Sequence, residues 1–238
     1  MDVLFINPAS QKKIYQGLSK KYTAIEPPTW SLLLAQSCRA AGREVGILDA
    51  CAEKMSHEEI LARITALQPR LLCFVVYGTN VNAGTTNMSG ATELSKFIKE
   101  SGFETPIAYV GSHAQALPYE TLEKEQSIDI VFTNEGVYAL RNLLKREKID
   151  LNSLEDIRGI GYRKDGKVIL NKPEMVVPQS RLDIDLPGYA WDLLPYEERP
   201  FDLYRAPMWH AEYDEEKRSP YAALQTSLGC QFACEFCM

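Results

Sequence analysis

Three cysteines near the end of the 238-residue chain carry its clearest chemistry: Cys230, Cys234 and Cys237, spaced C-x-x-x-C-x-x-C. At that spacing one short loop can wrap a metal centre. Cysteine thiolates select zinc or iron–sulfur clusters over hard cations. A structural zinc site usually takes four ligands, and no fourth is evident nearby. Three thiolates and an open position suit a cluster in which one iron is kept for a substrate. A plainer alternative is a zinc-stapled tail, which predicts zinc without iron or sulfide.

Composition sets outer limits. A hydrophobic content of 45% and a charged content of 24% fit a soluble globular protein. The length allows one ordinary domain and a second element. A net charge of −6 supplies no basic field, so nucleic acid is not an expected partner. No apolar run reaches the roughly 18 residues of a membrane span. The first residues lead straight into an apolar run, with neither a charged n-region nor a cleavage site. Six cysteines, three of them clustered, point to a reducing compartment, and a cytoplasmic location is expected. Cys38, Cys51 and Cys73 read as core or near-core residues.

The elements that must position this chemistry come earlier. Apolar runs at 3–6, 45–48, 71–76, 107–110 and 128–132 read as buried parallel strands. Helical patterns lie between them. Trp30, Leu33, Leu34, Cys38 and Ala41 share one face until Gly42; others cover 57–67, 90–100 and 117–125. A last helix opens at Asn134-Glu135-Gly136 and runs through Leu140, Leu143 and Leu144. Five strand–helix units predict an α/β fold, a doubly wound five-stranded parallel sheet in the flavodoxin-like order 2-1-3-4-5. Such sheets bind ligands beyond the strands' carboxyl ends, at the switch between the first and third strands. Loops after the strands carry Asn7 and Pro8, then Gly78, Thr79 and Asn80, then Gly111-Ser112-His113, then Asn134-Glu135-Gly136. Small residues there let a backbone approach a ligand closely. Neither G-x-G-x-x-G nor G-x-x-x-x-G-K-[ST] occurs, so dinucleotide and nucleoside triphosphate sites lack a motif.

Beyond residue 150 the texture changes. A hairpin is expected around Asp165-Gly166. The polar stretch 10–21 reads as a loop over the sheet edge, and 173–220 as an ordered linker in which Trp191 and Tyr196 pack. The expected division is 1–149 for the α/β domain, 150–220 for hairpin and linker, and 221–238 for the start of a further domain.

Cys230, Cys234 and Cys237, with Phe236 before the third, resemble the cluster loop of the radical S-adenosylmethionine enzymes. Residues 223–229 resemble the first barrel strand that delivers that loop. The resemblance implies a 4Fe–4S cluster on the three thiolates, with Phe236 beside the cofactor. It further implies S-adenosylmethionine chelating the fourth iron, and its one-electron cleavage to a 5′-deoxyadenosyl radical. A small-molecule substrate and a one-electron reductant such as flavodoxin or ferredoxin are the partners implied. A full barrel takes ~250 residues. The expectation is therefore an N-terminal part of a longer enzyme, truncated after the cluster loop and inactive alone.

Residues 1 to 150 also resemble a known domain, through Asn7-Pro8, Pro27-Pro28-Thr29-Trp30, Gly111-Ser112-His113 and the stretch from Asp129 to Gly136. It is similar to the cobalamin-binding, Rossmann-like domain ahead of the barrel in cobalamin-dependent radical S-adenosylmethionine enzymes. Departures are Ser112 for a second glycine, Gln115 for a threonine, and Asn134-Glu135-Gly136-Val137 for Gly-Glu-Gly-Glu. Cobalamin contacts are implied at Asn7, Pro8, Gly78, Thr79, Asn80, Gly111, Ser112, His113, Asn134, Glu135 and Gly136. No Asp-x-His-x-x-Gly segment is present, so no histidine reaches cobalt through that motif. His113 is expected to bond locally or to ligand amides, and His57 and His210 to have no ligand role.

The resemblance implies a methyltransferase using methylcobalamin and the radical on an unactivated centre. The alternatives are a radical enzyme whose front domain no longer binds cobalamin, or a non-enzymatic ligand-binding module with the zinc tail. A methylthiotransferase would carry three cysteines in its front domain, beginning where Asn7-Pro8 stands; Cys38, Cys51 and Cys73 do not fit.

Overall fold

The short apolar runs fold as strands and pair in parallel. β1 (Val3–Asn7), β2 (Val45–Asp49), β3 (Leu72–Val75), β4 (Ile107–Val110) and β5 (Ile130–Phe132) lie in the order β2-β1-β3-β4-β5, as expected. The structure, a computed structural model, describes residues 1–9, 25–77, 84–196, 203–204 and 221–229. The expected loop at 10–21, Gly78, Thr79 and Asn80, His210, Phe236 and the cysteines Cys230, Cys234 and Cys237 all lie outside the described residues.

Successive strand residues divide between two cores, as a period of two requires. Val3, Phe5, Cys73, Val75, Ala108 and Val110 pack under α1 (Thr29–Ala40) and α7 (Val137–Leu144), against Leu33, Leu34, Leu140 and Leu143. Leu4, Ile6, Leu72, Phe74, Ile107 and Tyr109 face the other way. They meet Ile60 and Ile64 of α3 (His57–Leu67) and Leu94 and Ile98 of α4 (Gly84–Glu100). Covering both faces explains why these strands are apolar throughout. Phe74 and Tyr109 stack at 5.0 Å, and the Tyr109 hydroxyl is satisfied by Ser95 at 3.0 Å.

Local signals set several boundaries. Ser56 and Glu59 form a reciprocal capping box that starts α3 at His57. Two short helices, α2 (Ala50–Glu53) and α5 (Ser112–Ala116), precede longer ones and have no periodicity to announce them. α6 (Pro118–Lys124) starts on proline, which suits a first helical turn. α4 begins at Gly84 rather than at residue 90, because packing of Met88 and Ala91 overrides the weak propensity of its threonines and asparagine.

The hairpin departs from its expected place in a linker. β6 (Ile160–Lys164) and β7 (Lys167–Leu170) turn at Asp165 and Gly166, both with positive φ (50° and 72°), as a type I′ turn demands. β6 pairs antiparallel with β5, Ile130 opposite Tyr162 and Phe132 opposite Ile160, so among the described residues the sheet has seven strands. The reason is physical: Ile160 and Tyr162 find a core only by joining the ladder that β5 leaves open.

After the hairpin the chain crosses α7 and α1 as a strap. Asp185, in α8 (Leu182–Asp185), accepts from Tyr138 at 2.6 Å, Arg141 at 2.7 Å and Arg181 at 2.8 Å. Arg181 and its partners hold the Asp185 carboxyl well below the ordinary aspartate range. Further on, Ala190 donates its N–H to the Leu32 carbonyl, and Arg39 grips both Asp192 oxygens. Trp191 and Tyr196 pack edge to face at 6.2 Å, as expected of them. No described helix is long and apolar enough to cross a membrane.

Candidate functional site

Parallel pairing brings the ends of β1 to β5 to one carboxyl edge, and the loops there hold the residues singled out from the sequence. Asn7 ends β1 opposite Asp49 of β2 and donates its amide to the Asp49 carboxylate at 2.7 Å. Pro8 follows, buried. Gly111 ends β4 so close to β3 that an added Cβ would meet the Val76 carbonyl oxygen at 2.1 Å. Only glycine allows that approach. It sets Ser112 and His113 on α5, where His113 Nδ1 lies 3.2 Å from the Thr85 hydroxyl.

The loop after β5 is committed to internal contacts. Asn134 Oδ1 accepts from the Gly136 N–H at 3.0 Å, and its amide donates to the Glu174 carbonyl at 3.0 Å. The Glu135 carboxylate accepts from the Val177 N–H; burial raises its pKa and that hydrogen bond lowers it. Gly136 caps α7. These residues anchor the start of the strap as well as bordering the edge.

A second set of side chains knits the loops together, and sequence reasoning did not single them out as site residues. The Trp30 indole donates to the Glu135 carbonyl at 3.2 Å, and its ring meets Tyr77 edge-on at 5.8 Å. Gln115 donates from one amide nitrogen to the Tyr77 hydroxyl and to the Asn134 carbonyl, the latter at 2.7 Å. Burial pushes the Tyr77 hydroxyl's pKa well up. The ends of β3, β4, β5 and α1 are thereby tied into one floor. Asp49 was also missed. Its place three residues before Ala52, whose N–H it accepts at 3.1 Å, is a helix-cap signature that sequence shows; its burial is not.

Among the described residues no group of three or more histidine, cysteine, aspartate or glutamate side chains is arranged to hold a metal ion. Cys38 and Cys73 are buried in the core, and burial pushes the Cys38 thiol up to about 12. His57 opens α3 and lies against Phe97 at 5.2 Å.

A doubly wound sheet with glycine-pinched loops on its carboxyl edge is the frame of a cobalamin-binding, Rossmann-like domain. The family model for the B12 binding domain matches residues 16–144, and the chain belongs to that family. It is 27% identical over 241 residues to an uncharacterized methyltransferase, PH0819, of Pyrococcus horikoshii, across 100% of this chain and 45% of that protein. It is 25% identical over 237 residues to the anaerobic magnesium-protoporphyrin IX monomethyl ester cyclase of Synechocystis, across 100% of this chain and 42% of that protein. The chain thus spans less than half the length of these relatives. In fold it is similar to the cobalamin-dependent S-adenosylmethionine radical enzyme OxsB, solved with aqua-cobalamin and S-adenosylmethionine bound. That likeness has a TM-score of 0.55 at 17% identity, over 78% of this chain and 25% of that one. It is also similar to the radical S-adenosylmethionine methyltransferase TsrM of Kitasatospora setae, with a TM-score of 0.55 at 17% identity, over 72% of this chain and 30% of that one.

The donor set fits the ligand of that family. The side chains along the edge are mostly amides and hydroxyls with one imidazole: Asn7, Thr85, Ser112, His113, Gln115 and Asn134, of which Asn7, Gln115 and Asn134 donate within the protein and Thr85 and His113 face each other. The carboxylates of Glu135 and Asp49 are engaged by protein donors. Neutral hydrogen-bonding groups suit a corrin ring fringed with uncharged carboxamides.

Proposed function

We propose that the α/β domain binds cobalamin in the service of a cobalamin-dependent radical S-adenosylmethionine enzyme, and that the whole protein transfers methyl groups to an unactivated centre of a small molecule. One conjunction carries the reading. A B12 binding domain over residues 16–144 and the C-x-x-x-C-x-x-C spacing of Cys230, Cys234 and Cys237 occur in one chain. The methyltransferase name of the Pyrococcus horikoshii relative supports the choice of chemistry.

Cobalamin, when bound, supplies a cobalt-carried methyl group. The chain's own part is to bind and orient. Thr85, His113 and Gln115 border the edge where the carboxamide fringe would lie, and the Trp30–Tyr77 contact keeps the loop ends of α1 and β3 in fixed relation. Cys230, Cys234 and Cys237 would hold three irons of a 4Fe–4S cluster and leave the fourth for S-adenosylmethionine. A one-electron donor of the flavodoxin or ferredoxin kind would serve it, in a reducing, cytoplasmic setting.

The test is anaerobic titration of the 238-residue chain with hydroxocobalamin, read by its visible spectrum and by cob(II)alamin EPR. Stoichiometric binding with a base-off spectrum and no nitrogen hyperfine splitting is expected. Absence of binding overturns the cobalamin reading. Metal analysis of the same chain after reconstitution should give iron and sulfide; zinc alone would overturn the radical one.

A further inference from the structure

Asp49 ends β2 with 1% of its surface exposed, and the groups that bond to it are neutral. Asn7 and the Ala52 N–H donate to Oδ1, at 2.7 and 3.1 Å, and the Tyr204 hydroxyl donates to Oδ2 at 2.9 Å. A buried carboxylate without a cation is costly to keep ionised. Burial accordingly raises Asp49 to about 6, although the hydrogen bonds from Ala52, Asn7 and Tyr204 pull it down.

What Tyr204 brings to Asp49 is the far end of the chain. Its ring lies 5.1 Å from Tyr196, and both sit in an apolar cluster with Ile25, Leu32, Ala52 and Leu194. The Tyr196 hydroxyl donates to the Tyr221 carbonyl at 3.1 Å. Trp191 packs on Tyr196 and stacks on Tyr189 at 5.3 Å. The Tyr189 hydroxyl accepts the Gln225 N–H at 2.8 Å and faces the Gln225 carbonyl at 3.3 Å. Residues 221–229 are otherwise largely open to solvent, with Leu224 63% exposed. The next residue is Cys230.

We propose that Asp49 and Tyr204 are positioning residues, a latch that holds segment 221–229, and so the start of the cysteine-bearing stretch, at the carboxyl end of β2. The purpose rests on the radical-enzyme reading, in which a cluster and a corrin must face each other. The latch itself needs neither cofactor. It is also responsive to protons. The groups facing Asp49 are Asn7 on β1, Cys51 and Glu53 on α2, and the hydroxyls of Tyr196 and Tyr204; Glu53 is paired with Arg63 at 3.4 Å. Tyr204 donates a charge-assisted bond to the ionised carboxylate, and protonation of Oδ2 exchanges it for a weaker neutral one. Burial of Asp49 beneath Tyr204 is favoured by protonation, so the latch is under strain above about pH 6, where the buried carboxylate is ionised, and is relieved below.

The test uses the whole chain labelled with 5-fluorotryptophan. Trp191 lies within the stacked rings and Trp30 in the floor of the edge, so one spectrum reports strap and sheet separately; of the three tryptophan signals, Trp191→Phe and Trp209→Phe assign two and leave the third to Trp30. Tyr204→Phe is expected to move or broaden the Trp191 resonance and leave that of Trp30 in place. Protection of the Gln225 amide should fall roughly tenfold, the worth of about one hydrogen bond. The unsubstituted chain should show a Trp191 titration near pH 6 that Asp49→Asn abolishes. An unchanged Trp191 and Gln225 in Tyr204→Phe overturns the latch, and so does joint movement of Trp30 and Trp191 in both variants. Failure to bind hydroxocobalamin with a responsive Trp191 would sink the cobalamin reading alone.

Discussion

Between β1 and β5 the described chain is fixed by apolar side chains interdigitating on both faces of a sheet, whereas the described residues from 173 to 229 are fixed by a few polar knots and a row of stacked rings. In the first region each residue leans on many others, so the arrangement tolerates the loss of any one polar contact. The second is anchored stretch by stretch, at Asp185, at Asp192 and, through Tyr204, at Asp49 of β2. Apolar burial at about 25 cal/mol per Å² accumulates silently along a strand. A polar knot concentrates its contribution in one side chain and makes it sensitive to pH.

Substitutions at four positions break or sharpen that contrast, in falling order of effect. Gly111→Ala attacks the sheet where β3 and β4 come closest, with a methyl 2.1 Å from the Val76 carbonyl oxygen. Urea unfolding should show a loss of about 3 kcal/mol, the upper end of overpacking costs; a near-neutral result would mean the strands can part. Asp185→Ala removes the acceptor shared by Tyr138, Arg141 and Arg181. A loss of about 2 kcal/mol is expected at pH 7, below that of a wholly enclosed pair because Arg181 is solvated. The sign with pH follows from the lowered carboxyl: its contribution is present above the ordinary value of 3.8 and vanishes as pH falls through the lowered one. Asp185→Asn should therefore flatten the acid limb of a stability–pH curve below about pH 4.

Asp49→Asn has the opposite sign. With its carboxyl raised to about 6, the protein gains stability as pH falls from above that value toward 3.8. The substitution should stabilise the chain at pH 7.5 by on the order of 1 kcal/mol and remove that slope, which melting at pH 7.5 and 5 would show. Arg39→Ala is the smallest. Its partner Asp192 is 64% exposed, and an exposed pair is worth under about 0.5 kcal/mol. A larger measured loss would mean that the strap depends on its surface ion pairs as well as on its buried ones.

The same contrast explains what the sequence made legible. The runs at 3–6 and 107–110 read as strands because burial on both faces leaves them apolar, and the helical pattern at 57–67 matches α3. The edge positions of Asn7, Gly111 and Gly136 followed from strand ends and glycine. Contacts that depend on distant residues were not legible. Gln115 bridging Tyr77 and Asn134, Tyr204 reaching Asp49 across 155 positions, and β6 joining β5 have no local pattern to betray them. Pairing partners in such cases are chosen by leftover hydrogen-bonding capacity and leftover apolar surface, which only the assembled fold defines.

The hairpin that joins the sheet also decides what the sheet offers to other chains. Without it the outermost strand on that side would be β5, the bare sequence Ile130-Val131-Phe132 with its peptide groups unpaired. An apolar open strand of that kind templates self-association. β6 and β7 shift the boundary outward to a four-residue strand that opens with an exposed lysine, Lys167. A chain cut near residue 150 would lose that guard, and aggregation rather than misfolding is its expected fate.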